Sequence, residues 1–247
     1  MIDLKLVTTL DRVFALGGNH NTDKAIEIRT QLLDYIREEE LFLKHQHEYN
    51  KNFVTAINAI CFIDANNAYA TTSARMDGYF HMKPFFEYLM DVDTWNYYEL
   101  KLLVGSMNFI IAAEEAIELA SKAVQAINRF KADQNTDVME GYLALNLCSR
   151  LLYAKYFDDD VKVDLTKQFN NWLSRLEKLA ETNHQLDLPF LITQIREAIF
   201  NQNQERILEL CEELKENYEE DIENTVKNGI SFYVNSKKYT ALLGGEQ

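Results

Sequence analysis

The sequence of 247 residues contains few of the residues that interrupt helices. It has only two prolines, Pro84 and Pro189, and eight glycines. A fold built from many short strands needs turn residues at both ends of each strand, so this scarcity argues against such a fold. Alanine, leucine, glutamate, lysine and glutamine, which lose little side-chain entropy in a helix, are plentiful. The composition therefore predicts a chain made mainly of helices.

Long apolar runs and paired cysteines are also missing. No stretch approaches the roughly 18 uncharged apolar residues that indicate a membrane span, and the first residues lack the pattern of a signal peptide. The three cysteines, Cys61, Cys148 and Cys211, lie far apart in the sequence. We expect them to be free thiols in a reducing cytoplasm, with a transient intermolecular disulfide as the alternative. The sequence thus predicts a cytoplasmic protein without membrane contact.

Basic residues are in clear deficit, and the formal net charge is −14. A surface this acidic repels phosphate backbones, so the chain by itself is not expected to bind DNA or RNA. Neutral, apolar or basic partners suit it better.

Apolar residues recur at helical spacing along most of the chain, which predicts an all-α fold. We expect nine or ten helices in one domain spanning residues 1–247, paired by short loops into degenerate hairpin repeats of the tetratricopeptide kind, an α-solenoid. Asp93 or Thr94 is expected to cap the helix that follows it. The predicted segments cover residues 22–40, 44–63, 72–81, 84–90, 95–130 with a break at Gly105 as the alternative, 136–157, 161–182, 188–200, 203–218 and 219–238.

One segment carries a resemblance to a known family. Residues 85–102 read FFEYLMDVDTWNYYELKL. This segment contains a Tyr-Leu step, then a short acidic turn, and then Trp-x-Tyr-Tyr-Glu-Leu. In this order the three features resemble the most recognisable stretch of the Rgg/GadR/MutR transcription regulators. The order of helices on either side is similar to the C-terminal domain of that family.

The resemblance implies the sensing half of a cytoplasmic transcription regulator of Gram-positive bacteria. Such a domain is tetratricopeptide-like, binds a short hydrophobic signalling peptide in quorum sensing, and forms a homodimer. It reaches DNA only through a helix-turn-helix domain, and the first sixty-odd residues show no such pattern. We expect a longer chain, with a stand-alone sensor as the alternative. A further departure is Gly105, where the family usually has an asparagine.

The helix predicted for residues 136–157 carries the best candidate site. One of its stripes is apolar except for an amide and a guanidinium, which suit a peptide backbone and a carboxylate respectively. The candidate ligand-binding residues on this stripe are Met139, Leu143, Asn146, Arg150 and Tyr153, beside Phe157. The alternative is an exposed amide and an arginine paired with an acidic neighbour. Arg75 is a second candidate cation, with a solvated side chain as its alternative.

Other polar groups fit structural roles better than ligand binding. Trp95 and Tyr98 are expected to fill a junction between hairpins, with Glu99 accepting hydrogen bonds there. Asn58 is interpreted as a satisfied or solvated amide, although a ligand contact remains the alternative. The C-terminal helix is more apolar than a solvent-facing end requires, so it is expected to pair with a second copy of the chain. Its apolar residues are Ile222, Val226, Ile230, Phe232, Tyr233 and Tyr239.

Catalytic signatures are absent from the sequence. It has no Gly-rich phosphate loop, no His-Glu-x-x-His and no nucleophile elbow. Glu181 and His184 match the spacing of di-iron helical bundles, but such a site needs two of these motifs and two further glutamates. We therefore expect neither an enzyme nor a cofactor. A ligand-sensing domain is the favoured function, and a helical scaffold that binds another protein is the alternative.

Overall fold

The computed structural model of this chain describes residues 4–16, 22–43, 51–72, 75–130 and 136–236, without the side chains of residues 39–43, 51, 70–72 and 75. All regular structure in these ranges is helical, which confirms the all-α prediction. The described residues form eleven α-helices rather than nine or ten. In order they are α1 (Leu4–Phe14), α2 (Asp23–Leu43), α3 (Lys51–Thr72), α4 (Arg75–Asp91), α5 (Tyr97–Ser106), α6 (Ala113–Phe130), α7 (Thr136–Phe157), α8 (Leu165–Ala180), α9 (Asp187–Phe200), α10 (Gln204–Asn217) and α11 (Glu220–Val234).

Helix α1 was not predicted, although its first turns are amphipathic. It buries Leu6, Leu10 and Val13, which lie three to four residues apart and therefore on one face. The predicted end of the helix at residue 63 is wrong as well, because α3 continues to Thr72. Asn66 donates a hydrogen bond from Nδ2 to the carbonyl of Phe62, one turn earlier, at 2.8 Å. Burial of α3 between its neighbours outweighs the low helix propensity of asparagine.

Pro84 lies inside α4 instead of beginning a separate helix. A proline within a helix removes the hydrogen bond to the carbonyl four residues earlier, which is that of Phe80. Phe80 is largely exposed, so this carbonyl stands on the solvent side of the helix. On the opposite side Met82, Phe85 and Phe86 are fully buried. This burial holds the helix together across the proline.

The chain divides into two compact units, Met1–Ile111 and Ala112–Gln247. In the first unit α3 packs against α2 and α4, and also against α1 and α5. In the second unit α7 packs against α8 and α9, and α9 packs in turn against α10 and α11. Contact of each helix with the next and with the next but one is the arrangement of helical-hairpin repeats. Within the second unit α7, α9 and α11 thus form one layer, called here the odd layer.

Helix α7 is the central helix of the second unit. Fourteen of its 22 residues are buried, because α6, α8 and α9 all pack against it. Gly141 lets the 3-10 turn before α9 approach α7 closely. A Cβ at Gly141 would collide with the side chain of Leu186, which lies in the 3-10 turn His184–Leu186 and is fully buried. Because α7 is covered on most sides, only a narrow strip of its surface is left for a ligand.

Candidate ligand-binding site

The predicted stripe on α7 divides into core and surface positions. Met139 and Leu143 are buried in the core, with 8% and 0% of their surface exposed. Asn146 and Tyr153 are half-buried. Asn146, Arg150 and Tyr153 are four and three residues apart and therefore share one face of the helix. Arg75 is the first residue of α4 in the first unit, and its side chain lies outside the described residues.

Arg150 is fully buried and forms an ion pair. Its Nη2 donates a 2.5 Å hydrogen bond to Oδ2 of Asp158, the first residue after α7. The Arg150 side chain has no exposed surface, whereas 26% of the Asp158 side chain is exposed. The guanidinium also lies over the ring of Tyr153, with its central carbon 5.6 Å from the ring centroid. The group of this pair that reaches solvent is therefore the carboxylate. This is the acidic pairing that the sequence left open as the alternative for Arg150.

Aromatic rings join the last turns of α7 and α11. Tyr153 stacks on Phe157 with ring centroids 4.6 Å apart, and Phe157 lies 5.0 Å from Phe232 of α11. Tyr233 of α11 is 6.3 Å from Tyr156 and 6.0 Å from Phe157. We call these five residues the aromatic cluster. Since 54% of Phe232 is exposed, the cluster continues from the core to the surface.

Two side chains of α7 bind the C-terminal end of α9. Tyr156 donates a 2.8 Å hydrogen bond from its hydroxyl to the carbonyl of Ile199. The ammonium of Lys155 donates to the carbonyl of Phe200 and lies 3.9 Å from the centroid of the Phe200 ring. Burial lowers the pKa of Lys155. A cation and a hydroxyl at these last carbonyls satisfy acceptors that the helix itself leaves open.

Arg196, which the sequence analysis did not single out, lies at the contact of α7 and α9. Its Nη1 donates a 3.1 Å hydrogen bond to the carbonyl of Leu145, the residue before Asn146. Burial lowers the pKa of this half-buried guanidinium, and Tyr233 of α11 and Cys148 of α7 raise it. No carboxylate among the described residues forms an ion pair with it. One signal in the sequence could have identified it, because Arg196 is the only cation of α9.

Residues 85–102 form the junction between α4 and α5. Asn96 caps α5, accepting hydrogen bonds from the backbone of Tyr98 and Glu99, so the prediction of Asp93 or Thr94 as the cap is wrong. The buried Glu99 accepts from the backbone N–H of Asn96 at 2.7 Å and from the hydroxyl of Tyr88 at 2.8 Å. The asparagine cap and the glutamate three residues later form a reciprocal capping box.

Two further aromatic residues complete this junction. Trp95 is buried and donates from its indole nitrogen to the carbonyl of Leu89 at 3.1 Å. Tyr98 is buried as well, and its hydroxyl donates to Asp11 of α1 at 3.3 Å. Asn58, on α3, is buried, and its Nδ2 has no hydrogen-bond partner among the described residues, so its interpretation as a satisfied or solvated amide is wrong. The predicted structural role of Trp95, Tyr98 and Glu99 is confirmed.

A groove of about 460 Å³ lies between α1 and α2 in the first unit. Its two cations are already matched by acids. Lys5 pairs with Glu38 at 2.8 Å, and Arg12 pairs with Glu27 at 2.9 Å while also donating to Gln31. This groove therefore has no cation left to attract an anionic group.

Residues with metal-binding chemistry stay apart. Across the described ranges no three histidine, cysteine, aspartate or glutamate side chains come together as metal ligands. The ring of His184 is almost fully exposed, and its Nδ1 lies 3.2 Å from a carboxylate oxygen of Asp187, within the same turn of chain.

No family model, no curated protein and no solved structure matches this chain. Among the described helices, none combines the length and the apolar character that crossing a bilayer requires.

Proposed function

We propose that this chain is the ligand-sensing domain of an Rgg-like transcription regulator and that it binds a short peptide on the odd layer of its second unit. The observation that carries the proposal is the exposed strip of α7. There the half-buried Asn146 and Tyr153 flank the buried ion pair between Arg150 and Asp158. The Rgg-like sequence of the junction between α4 and α5 supports the choice of family.

This strip has groups that suit a peptide main chain. The amide of Asn146 carries donors and an acceptor, so it can pair with both sides of one peptide unit. The exposed edge of the Asp158 carboxylate accepts hydrogen bonds from peptide N–H groups. Arg150 holds this carboxylate in place from below and acts as a positioning residue. Met139 and Leu143 are buried in the core on the same stripe, while Tyr153 and the rest of the aromatic cluster offer apolar contact.

Regulation follows from binding that spans more than one helix. A peptide that contacts both α7 and α11 stabilises the arrangement of these helices in which both contacts exist, and so shifts the population toward it. DNA is contacted only by a separate helix-turn-helix domain, because the net charge of −14 opposes direct contact with phosphates.

Helix α11 is the proposed homodimer surface. None of its fifteen residues, all of them described, is fully buried, although Ile222, Val226, Ile230 and Phe232 are apolar. Tyr239, named with them from the sequence, lies outside the described residues. Pairing with the same face of a second copy would bury these side chains in an isologous interface. Sedimentation of the wild type as a dimer, and of Val226→Asp as a monomer, is expected. A wild type that stays monomeric at about 100 µM contradicts this surface.

Peptide binding is tested by fluorescence polarisation with a library of fluorescein-labelled apolar octapeptides. Asn146→Ala should weaken the best binder by about 1–3 kcal/mol, which is roughly five- to 150-fold, because a buried hydrogen-bonded contact is lost. Asn171→Ala is the matched control, since Asn171 is an exposed amide on α8. Wild type that binds none of the peptides, or equal affinity of Asn146→Ala and wild type, contradicts the proposal. Binding of a folded protein but of no peptide would favour the scaffold function instead.

A further inference from the structure

Arg196 is a half-buried cation that lacks an anion. A guanidinium has five N–H donors. One is used on the carbonyl of Leu145, and the others find no acceptor among the described residues. This is unusual in a chain with 39 acidic and 25 basic residues. The other buried arginine of the second unit, Arg150, has its carboxylate.

The location of Arg196 is also specific. Its side chain extends from α9 to the backbone of α7 at Leu145, and its electrostatic neighbours are Cys148 of α7 and Tyr233 of α11. Side chains of both other helices of the odd layer therefore act on this guanidinium electrostatically. Tyr233 belongs to the aromatic cluster, so an apolar surface lies beside the cation.

These observations indicate what kind of ligand would fit. The half-buried guanidinium of Arg196 has one neutral carbonyl as its hydrogen-bond partner among the described residues, and a carboxylate would add two parallel charged hydrogen bonds. The nearby rings favour a ligand whose carboxylate is attached to an apolar or aromatic group. A short apolar peptide presents this combination at its C-terminal residue.

We propose that Arg196, beside Tyr233 and the backbone of Leu145, binds the C-terminal carboxylate of the ligand, with the last side chain of the ligand against the aromatic cluster. This proposal rests on the proposed function for the identity of the ligand as a peptide. It moves the carboxylate contact from Arg150, which holds Asp158, to Arg196.

The test uses a probe that is smaller than a peptide. N-acetylphenylalanine carries one carboxylate and one ring, and N-acetylphenylalaninamide has the same shape without the charge. Each is titrated to millimolar concentration into the ¹⁵N-labelled chain, and the Arg196 Nε–H signal is followed by NMR after its assignment from Arg196→Lys. The acid should shift this signal and the backbone amide of Asn146, whereas the amide compound should shift neither.

Two variants give the affinity side of the test. Arg196→Gln should weaken binding of the acid at least tenfold, and Arg196→Lys should retain part of it, since one charged hydrogen bond remains. Arg206→Gln is the matched control, because Arg206 is an exposed arginine on α10 that pairs with Glu209. It should bind the acid as the wild type does. Should Arg196→Gln not fold, the titration of the wild type still decides the matter.

The possible results separate the two proposals. An unshifted Arg196 signal, equal shifts with the acid and the amide compound, or unchanged affinity in Arg196→Gln overturns the carboxylate site. If the acid binds at Arg196 but no octapeptide binds, peptide sensing fails and the carboxylate site stands. If octapeptides bind and C-terminal amidation leaves their affinity unchanged, the carboxylate site fails and peptide sensing stands.

Discussion

The hydrogen bond between Tyr88 and Glu99 gives the sharpest test of how the junction between α4 and α5 stabilises the first unit. Glu99 is fully buried, and each of its two oxygens accepts one hydrogen bond: Oε1 from the Tyr88 hydroxyl and Oε2 from the backbone of Asn96. Tyr88→Phe removes the first donor and leaves a buried carboxylate oxygen with one partner fewer. Hydrogen bonds to charged groups contribute about 1.5–3 kcal/mol to stability, so Tyr88→Phe should lower the free energy of unfolding by about 2 kcal/mol.

A double-mutant cycle isolates this bond from other effects. Glu99→Gln should cost about 2–3 kcal/mol, because it also weakens the capping box of α5. Once Glu99 is replaced, Tyr88→Phe removes a weaker hydrogen bond. The double variant should therefore lose about 1–2 kcal/mol less free energy of unfolding than the two single variants lose together. Tyr79→Phe, on the same helix α4, is the control, because no hydrogen bond of the Tyr79 hydroxyl is found among the described residues. It should cost less than about 0.5 kcal/mol.

The measurement is urea unfolding followed by tryptophan fluorescence. The chain has two tryptophans, Trp95 in the first unit and Trp172 in the second, so all variants are made in a Trp172→Phe background. Trp95 then reports on the junction itself, since its indole bonds to the carbonyl of Leu89. A coupling below about 0.5 kcal/mol, or a control as costly as Tyr88→Phe, would refute the assignment of the stabilisation to this hydrogen bond.

Three further outcomes are expected. Gly141→Ala should lower the free energy of unfolding by about 1–2 kcal/mol, because the added Cβ meets the buried side chain of Leu186. Gly229→Ala should raise it by up to about 1 kcal/mol, because the space around Gly229 is open. Urea unfolding should therefore show changes of opposite sign for the two variants. Cys148 should react with a thiol reagent only when the chain unfolds, because it is buried and burial raises its pKa to about 12. Cys61 and Cys211 are partly exposed and should react first. Equal labelling rates of the three cysteines in the folded chain would contradict this. Asp158→Asn should destabilise by about 2 kcal/mol, since it leaves the Arg150 guanidinium buried without its carboxylate, and unchanged urea unfolding would show that the pair contributes nothing.

Much of the fold could be predicted from the sequence, and the errors have local causes. Helical periodicity located α7 to the residue, because both of its ends have strong signals. The cap of α5 was also legible, as Asn96 and Glu99 stand three residues apart in a capping box. By contrast, the sequence around Pro84 is compatible both with a helix that begins at this proline and with a helix that continues through it. Only the burial of its neighbours on α4 decides between the two, and burial depends on residues distant in sequence.

The candidate site was harder to predict for a related reason. A stripe on a helix shows which side chains share a face, but not how much of that face other helices cover. Met139 and Leu143 share a stripe with Asn146, yet they are buried in the core and Asn146 is half-buried. How far neighbouring helices cover the stripe sets the limit of its exposed part. That limit depends on how the hairpins pack, which the pattern of one helix does not contain.

The two arginines of the odd layer differ in a way that the sequence does show. Neither Arg150 nor Arg196 has an acid three or four residues away, where a helix would bring it alongside. Arg150 has the acidic run after the end of its own helix, and Asp158 is close enough to fold back and pair with it. Arg196 has only Glu197, and adjacent residues on a helix do not face each other. A partner for Arg196 therefore has to come from another helix or from a ligand, and the neighbouring helix α11 offers Tyr233, a phenol rather than a carboxylate. The acidic run just beyond the end of its helix thus distinguishes Arg150, which pairs within the fold, from Arg196, for which we propose a ligand as the partner.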